Sequence, residues 1–280
     1  MKYLLLAILL PALGFAQTAT HTAASGSNPP GPPASYASTS VDQQDQKKAK
    51  ALLDQMIQAL GGNAYLNIQD VSQQGRTYSF HLGRPTSAGL LFWRFYKYPD
   101  KDRIELTKQR DVAEVFNGEK GAEITYKGIG PMDTKELTDH IRRQKYSLDV
   151  VLRKWLNEPD VALFYDGPTV ADEQPVEKVT IMNAHDQALT IYIDSNTHLP
   201  VKKSFSWRDP TDKQRNVEQE GYDNYRPSDG IMTPFVVTRY YNGDMSNQRF
   251  LASVSYNKGM NDSMFNVGTT NLPSREASRK

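Results

Sequence analysis

Between Leu189 and Phe265 five runs parted by turn-forming residues read as strands, and on several of them alternate residues are apolar. Leu189, Ile191 and Ile193 alternate in this way, as do Val201, Phe205 and Trp207, then Ile231, Phe235 and Val237, then Phe250, Ala252 and Val254. A period of two predicts antiparallel strands with one apolar and one polar face. The pattern recurs in Val71 to Leu82, Gly89 to Tyr98, Arg103 to Lys108, Val112 to Asn117, Ala122 to Tyr126, Val161 to Tyr165 and Val176 to Met182, giving about twelve strands. Gly89 to Tyr98 stands apart, because Leu91, Trp93 and Phe95 are opposed by Leu90, Phe92, Tyr96 and Tyr98. Such a strand is buried on both sides, or meets a ligand on one.

Two stretches switch to helical spacing. Over Asp42 to Leu60, Ala49, Leu52, Leu53, Met56, Ile57 and Leu60 form one apolar stripe that stops at Gly61-Gly62. Over about residues 132–157, Leu137 and Ile141, then Leu148, Val151, Leu152, Trp155 and Leu156, predict two short helices meeting near Tyr146-Ser147. Asp133 is the expected N-cap, with Glu136 three residues on. With no β-α-β alternation, the pattern predicts an α+β fold, mainly antiparallel β. A sheet this long curls, so the expected architecture is an incomplete, half-open β-barrel with helices packed across its concave side.

The N-terminus changes the picture. Lys2, an apolar run from Tyr3 to Leu10, and Gly14-Phe15-Ala16 have the order of a secretory signal peptide cleaved near Ala16. The run is broken by Pro11 and falls short of the ~20 residues that cross a bilayer. Residues 17–41, rich in Ala, Ser and Pro, are expected to be a disordered spacer, 42–267 a single domain and 268–280 a flexible tail. The expected location is the periplasm, with no span in the membrane. The 33 basic and 32 acidic residues leave a net charge of +1, which gives no support for nucleic-acid binding. Cys is absent, so disulfides, thiol nucleophiles and thiolate metal sites are excluded.

Several of these segments carry a resemblance. A helix ending in Gly61-Gly62 is followed by a meander, then by Asp194 with Leu199-Pro200-Val201-Lys202. Tyr225-Arg226, the strand start Gly230 to Pro234 and a closing Met264-Phe265-Asn266-Val267 complete the order. Over about residues 45–266 this resembles the LolA-like family of periplasmic lipoprotein carriers, the outer-membrane lipoprotein-sorting proteins. The resemblance implies a half-open barrel closed by helices, and acyl chains of lipoproteins or lipids as cargo. An inner-membrane donor and an outer-membrane acceptor come with it as possible partners. The motifs are turn and register markers, not catalytic ones. This chain departs from the family after Asn117-Gly118, where Gly121-Ala122 stands in place of an aromatic. The arginine that holds the lid in the founding carrier has two candidate counterparts, Arg76 and Arg94.

Catalytic patterns are sparse. His21, His81, His140, His185 and His198 are scattered, with no H-E-x-x-H spacing. Asp139-His140 has no nucleophile elbow beside it, and a solvated helix position is the expected state. Glu218 and Glu220, beside Asn216, are expected on a wet outer face. No cofactor and no enzyme activity are expected; an enzyme would show an ionisable cluster inside the cavity. Ligand binding has the better support, because one long acyl chain carries on the order of 12 kcal/mol of aversion to water at ~0.8 kcal/mol per methylene. The expected walls are Tyr78, Phe80, Leu91, Trp93, Phe95, Ile104, Leu106, Ile191, Ile193, Phe205 and Phe235, and the expected lid is Leu137, Ile141, Leu148, Leu152 and Trp155. The same side chains could instead fill a dry core. The alternative function is an envelope sensor or scaffold of this fold that binds a protein partner.

Overall fold

The computed structural model describes residues 40–86 and 88–266. The expected signal peptide, nearly all of the spacer and the tail lie outside them. The alternating segments form fourteen strands of one antiparallel sheet: β1 (Asp70–His81), β2 (Arg84–Pro85), β3 (Leu90–Lys97), β4 (Lys101–Leu106), β5 (Val112–Asn117), β6 (Lys120–Thr125), β7 (Gly128–Pro131), β8 (Ala162–Ala171), β9 (Gln174–Met182), β10 (Ala188–Asp194), β11 (Pro200–Arg208), β12 (Arg215–Ser228), β13 (Ile231–Tyr241) and β14 (Asp244–Tyr256). The two beyond the expected dozen are short: β2, which pairs only with β1, and β7, whose Gly128 and Gly130 mask its extended character.

The strand order is β7-β6-β5-β4-β3-β1-β14-β13-β12-β11-β10-β9-β8. The first long strand thus pairs with the last at the middle of the sheet, and two meanders spread from that seam as wings. Edge strands β7 and β8 are not paired with each other, so the sheet is a half-open barrel, as the pattern predicts. Helix α1 (Ser40–Leu60) and the one-turn α2 (Asn63–Leu66) precede the sheet, and the chain later crosses from one edge to the other through residues 132–161, which hold α3 (Thr134–Lys145), α4 (Leu148–Arg153) and a 3₁₀ turn (Trp155–Asn157). The helical insert is therefore the bridge across the open side. Asp133 caps α3 by accepting from the N–H groups of Lys135 and Glu136, and Ser147 caps α4 through Val150 N–H.

The inner face is filled on one wing only. Helix α1 (Ser40–Leu60) turns Ala49, Leu52, Leu53, Met56, Ile57 and Leu60 onto Val179, Ile181, Leu189, Ile191 and Ile193, all buried. Each of the larger helix side chains stabilises this docking by ~1.5–3 kcal/mol. Val151, Leu152 and Trp155 extend the same core. Gly61 ends α1 at φ +130°, and a Cβ there would lie 2.7 Å from Gly230 O in the β12–β13 turn. Only glycine permits that approach.

The outer face carries a smaller core of its own. Buried Asp70 accepts the N–H groups of Lys258, Gly259 and Met260 at 2.8, 2.9 and 3.2 Å. This latch lays the C-terminal 3₁₀ turn (Asp262–Phe265) across β4 and β5, where Phe265 packs, fully buried, with Ala113, Val115, Ile124 and Phe95. Lys97 and Lys101 hold Asp262 from below at 2.6 and 2.8 Å.

Candidate functional site

The wing that α1 leaves uncovered bounds a cavity of about 690 Å³, walled by β1, β3–β5 and β11–β14 and roofed by α3 and the start of α4. That volume lies within the ~300–1,000 Å³ of small-molecule sites. Strand β3 supplies Leu90, Phe92, Arg94 and Tyr96, and β4 supplies Asp102, Ile104 and Leu106. Together they form an apolar strip interrupted by one ion pair. Arg94 grips Asp102 bidentately, with Nε at 3.0 and 3.1 Å and Nη2 at 2.8 Å.

Of the sixteen side chains expected to form walls and lid, Ile104, Leu106, Phe205 and Leu148 line the cavity. Ile191, Ile193, Leu152 and Trp155 face inward too, but beneath α1 and α4, where they are core. Leu91, Trp93 and Phe95 lie on the outer face instead of the inner one. Phe95 packs under the C-terminal turn, and the Arg110 guanidinium stands over Trp93 and Phe95. The doubly apolar strand turns one set to the cavity and the other to the C-terminal turn, and alternation alone could not tell which set points in. Tyr78 and Phe80 alternate with the cavity residues Thr77 and Ser79, so they too point out, and Tyr78 meets Phe250 edge-on at 5.7 Å. Phe250 leaves the apolar face of β14 because a bulge opposite Gln74 and Gly75 reverses the alternation before Val254. Gly75 is required there: a Cβ would fall 2.0 Å from Phe250 O. Phe235 is buried under the Arg226 guanidinium, 4.7 Å away, and is not at the cavity wall. Leu137 and Ile141 are half-buried and stay off the cavity, Leu137 resting against Gly121.

What the roof turns inward is the charged side of α3. Lys135, Asp139, His140, Arg142, Arg143 and Gln144 line the cavity. Glu218 and Glu220 point into it as well, reversing the expected wet outer face, because the facing cations lie on the same side of the sheet. Arg142 bridges Asp139 and Glu218 and lies 3.6 Å over the Trp207 ring. Glu220 is shared by Lys203 at 3.2 Å, Arg239 at 3.1 Å and Arg249 at 3.4 Å, and accepts from the Tyr222 hydroxyl at 2.9 Å. Burial alone would raise the Glu220 carboxyl; those three cations reverse this and hold it well below the usual range. His140 is not solvated. Its ring stacks on Phe116 with centroids 3.5 Å apart, its buried Nε2 has no hydrogen-bond partner among the described residues, and burial pushes it down to about 4. Of the two lid-arginine candidates, Arg94 faces the cavity, while exposed Arg76 donates to Gly89 O.

The cluster has the ionisable character that an enzyme would need. Yet Asp102, Asp139, Glu218 and Glu220 are each already held by cations. Glu114 is different. Burial, with Glu136, Asp102 and Glu123 adding repulsion, pushes it up to about 7. A carboxyl raised in the folded state loses stability as pH climbs from the ordinary Glu range, ~4.3, through that value. Glu114→Gln is therefore expected to melt above the parent at pH 8 and level with it at pH 4, as thermal denaturation would show.

The charged lining was missed because its members are far apart in sequence and meet only through register. Arg239 lies opposite Glu220, and Arg249 opposite Val237. The one local signal was the pairing of Asp139 with Arg142 and Arg143 at helical spacing.

The described residues thus form a half-open antiparallel barrel with a helical bridge and an inner cavity. No family model matches the chain, and no curated protein does. Solved structures share the fold. A DUF1329 family protein from Desulfovibrio piger aligns with a TM-score of 0.53 at 12% identity, over 78% of this chain and 97% of that one. An outer membrane lipoprotein-sorting protein domain from Vibrio parahaemolyticus gives 0.53 at 9% identity over the same shares. A LolA superfamily protein from Nitrosomonas europaea gives 0.47 at 11% identity. At these identities the first two establish the common fold.

Proposed function

We propose that this protein carries the acyl chains of lipids or lipoproteins through the periplasm, in the cavity between the sheet and its helical bridge. The observation that carries this reading is a cavity of about 690 Å³ left beside a core that α1 has already filled. Leu90, Phe92, Ile104, Leu106, Leu148 and Phe205 provide apolar wall for a hydrocarbon tail. Each methylene taken from water there contributes ~0.8 kcal/mol. Helices α3 and α4 would move to admit it, since they lie in the segment that crosses the open side. The signal-peptide pattern at residues 1–16 supports export, and among the described residues no helix is long and apolar enough to cross a membrane. Release from an inner-membrane donor and delivery to an outer-membrane acceptor fit the same reading. Native mass spectrometry of gently purified protein is expected to show a bound acyl species, and a fluorescent fatty acid should be displaced by unlabelled lipid. A protein that is empty and binds no acylated probe would end the proposal.

A further inference from the structure

Seven cations and six carboxyls line the cavity, Lys135, Glu114 and Asp149 among them, and the carboxyls are unevenly shared. Arg94 is matched by Asp102, and Arg142 by Asp139 and Glu218. That leaves Lys203, Arg239 and Arg249 on the single carboxylate of Glu220, with the Arg143 guanidinium 3.9 Å from the already engaged Glu218. Arg249 is the least satisfied of these. Its contact with Glu220 is long, its side chain is only 14% exposed, and its Nε is buried with no hydrogen-bond partner among the described residues. Burial and the nearby Arg239 and Arg94 push it down to about 9. A buried cation left short of a partner is unfavourable unless something supplies the missing negative charge.

The register shows what could. Arg239 pairs with Asn247 and Arg249 with Val237, so the two arginines are diagonal neighbours on one face of β13 and β14, ~7–8 Å apart at the backbone. Two guanidiniums at that spacing suit an oxyanion held against both by charge-assisted hydrogen bonds. Arg249 also lies opposite Thr77, and Thr77 opposite Leu90. Leu90, Phe92 and Leu106 therefore begin two strands away, ~10 Å across the sheet. The Glu220 cluster on β11–β14 thus faces an oily strip on β3 and β4 whose one charged interruption, Arg94 with Asp102, is internally paired.

We propose that the cavity takes an anionic amphiphile, a carboxylate or phosphate joined to an alkyl chain, with the oxyanion against the Arg239 and Arg249 guanidiniums beside Glu220, whose Oε1 already lies between them at 3.1 and 3.4 Å, and the chain along Leu90, Phe92, Ile104 and Leu106. This deepens the carrier reading and rests on it. The oxyanion replaces the counter-charge that Glu220 cannot give to three cations at once, and the tail fixes which way round the ligand lies.

The test uses the full mature chain and a neutral fluorescent probe, displaced by dodecyl phosphate, dodecanol or inorganic phosphate below any micelle-forming concentration. Dodecyl phosphate is expected to bind at least ~10-fold tighter than dodecanol, and inorganic phosphate not to compete at comparable concentration. In Arg249→Gln the preference for the phosphate should fall to about twofold while the dodecanol affinity holds; Arg249→Lys should restore part of it. Circular dichroism and melting of both variants establish that they are folded. Equal affinity for the alcohol and the phosphate, or an equal loss of both in Arg249→Gln, would overturn the anion site and leave the carrier standing. Inorganic phosphate competing as well as dodecyl phosphate would replace the amphiphile with a free anion. Displacement by none of the three would remove the carrier reading and this one together.

Discussion

Glu220→Gln is expected to lower stability by ~3–5 kcal/mol, because it strips the one carboxylate that Lys203, Arg239 and Arg249 share and leaves buried cations facing one another. For a domain of this size that is a fall in melting temperature on the order of 10 °C. Adding Arg249→Met should recover part of the loss, because one of the uncompensated charges goes with it; the double-mutant cycle measures the coupling. The pH dependence has a definite sign. A carboxyl held below its ordinary value contributes stability that is present above the unfolded value, ~4.3, and is lost as pH falls through the folded one. The melting curves of parent and Glu220→Gln should therefore converge as the solution is acidified below about pH 4. A difference that stays constant with pH would mean the carboxylate's charge is not what holds the cluster.

Phe205→Ala is the second large effect, and it acts on the bridge. The joint between α3 and α4 is Tyr146, whose ring lies flat on Phe205 at 4.2 Å and edge-on to Trp155 at 5.4 Å. Its carbonyl accepts from Lys203 Nζ at 2.9 Å, and two residues back Gln144 donates to Pro99 O at 2.6 Å. Removing the Phe205 ring should cost ~3–5 kcal/mol globally. It should also free the joint locally. Hydrogen exchange is expected to rise across residues 134–153 well beyond the general change, while β12–β14 stays protected. Exchange that rises evenly over the chain would show that the bridge does not move as a unit.

Much of the frame could be read from residue order. Helix α1 announced itself because Leu53, Met56 and Leu60 share a stripe and Gly61 can take φ +130°. The cap at Asp133, the break near Tyr146-Ser147 and the C-terminal meander followed equally local rules. The direction in which faces point was harder. On β3 both faces are apolar, and the deciding fact, a C-terminal turn latched by Asp70 over the outer side, lies 165 residues on from Lys97 at Asp262. On β14 a single bulge reverses the alternation between Phe250 and Val254. The charged lining needed more still, since Glu220, Arg239, Arg249 and Lys203 sit on four strands whose register no local pattern sets. Apolar periodicity finds what is buried; it does not find which polar groups are buried with it.

The unjoined edges of β7 and β8 have a mechanical consequence. In a closed barrel, strand number and stagger set the girth, and changing it means breaking ladder hydrogen bonds. Among the described residues no ladder spans that gap, and the segment carrying α3 and α4 ties the two rims. The wall can widen or narrow by hinging at its free margins, with every strand pairing intact. Side-chain packing under the crossing helices then governs how thick a guest is admitted, and the backbone imposes no fixed bore.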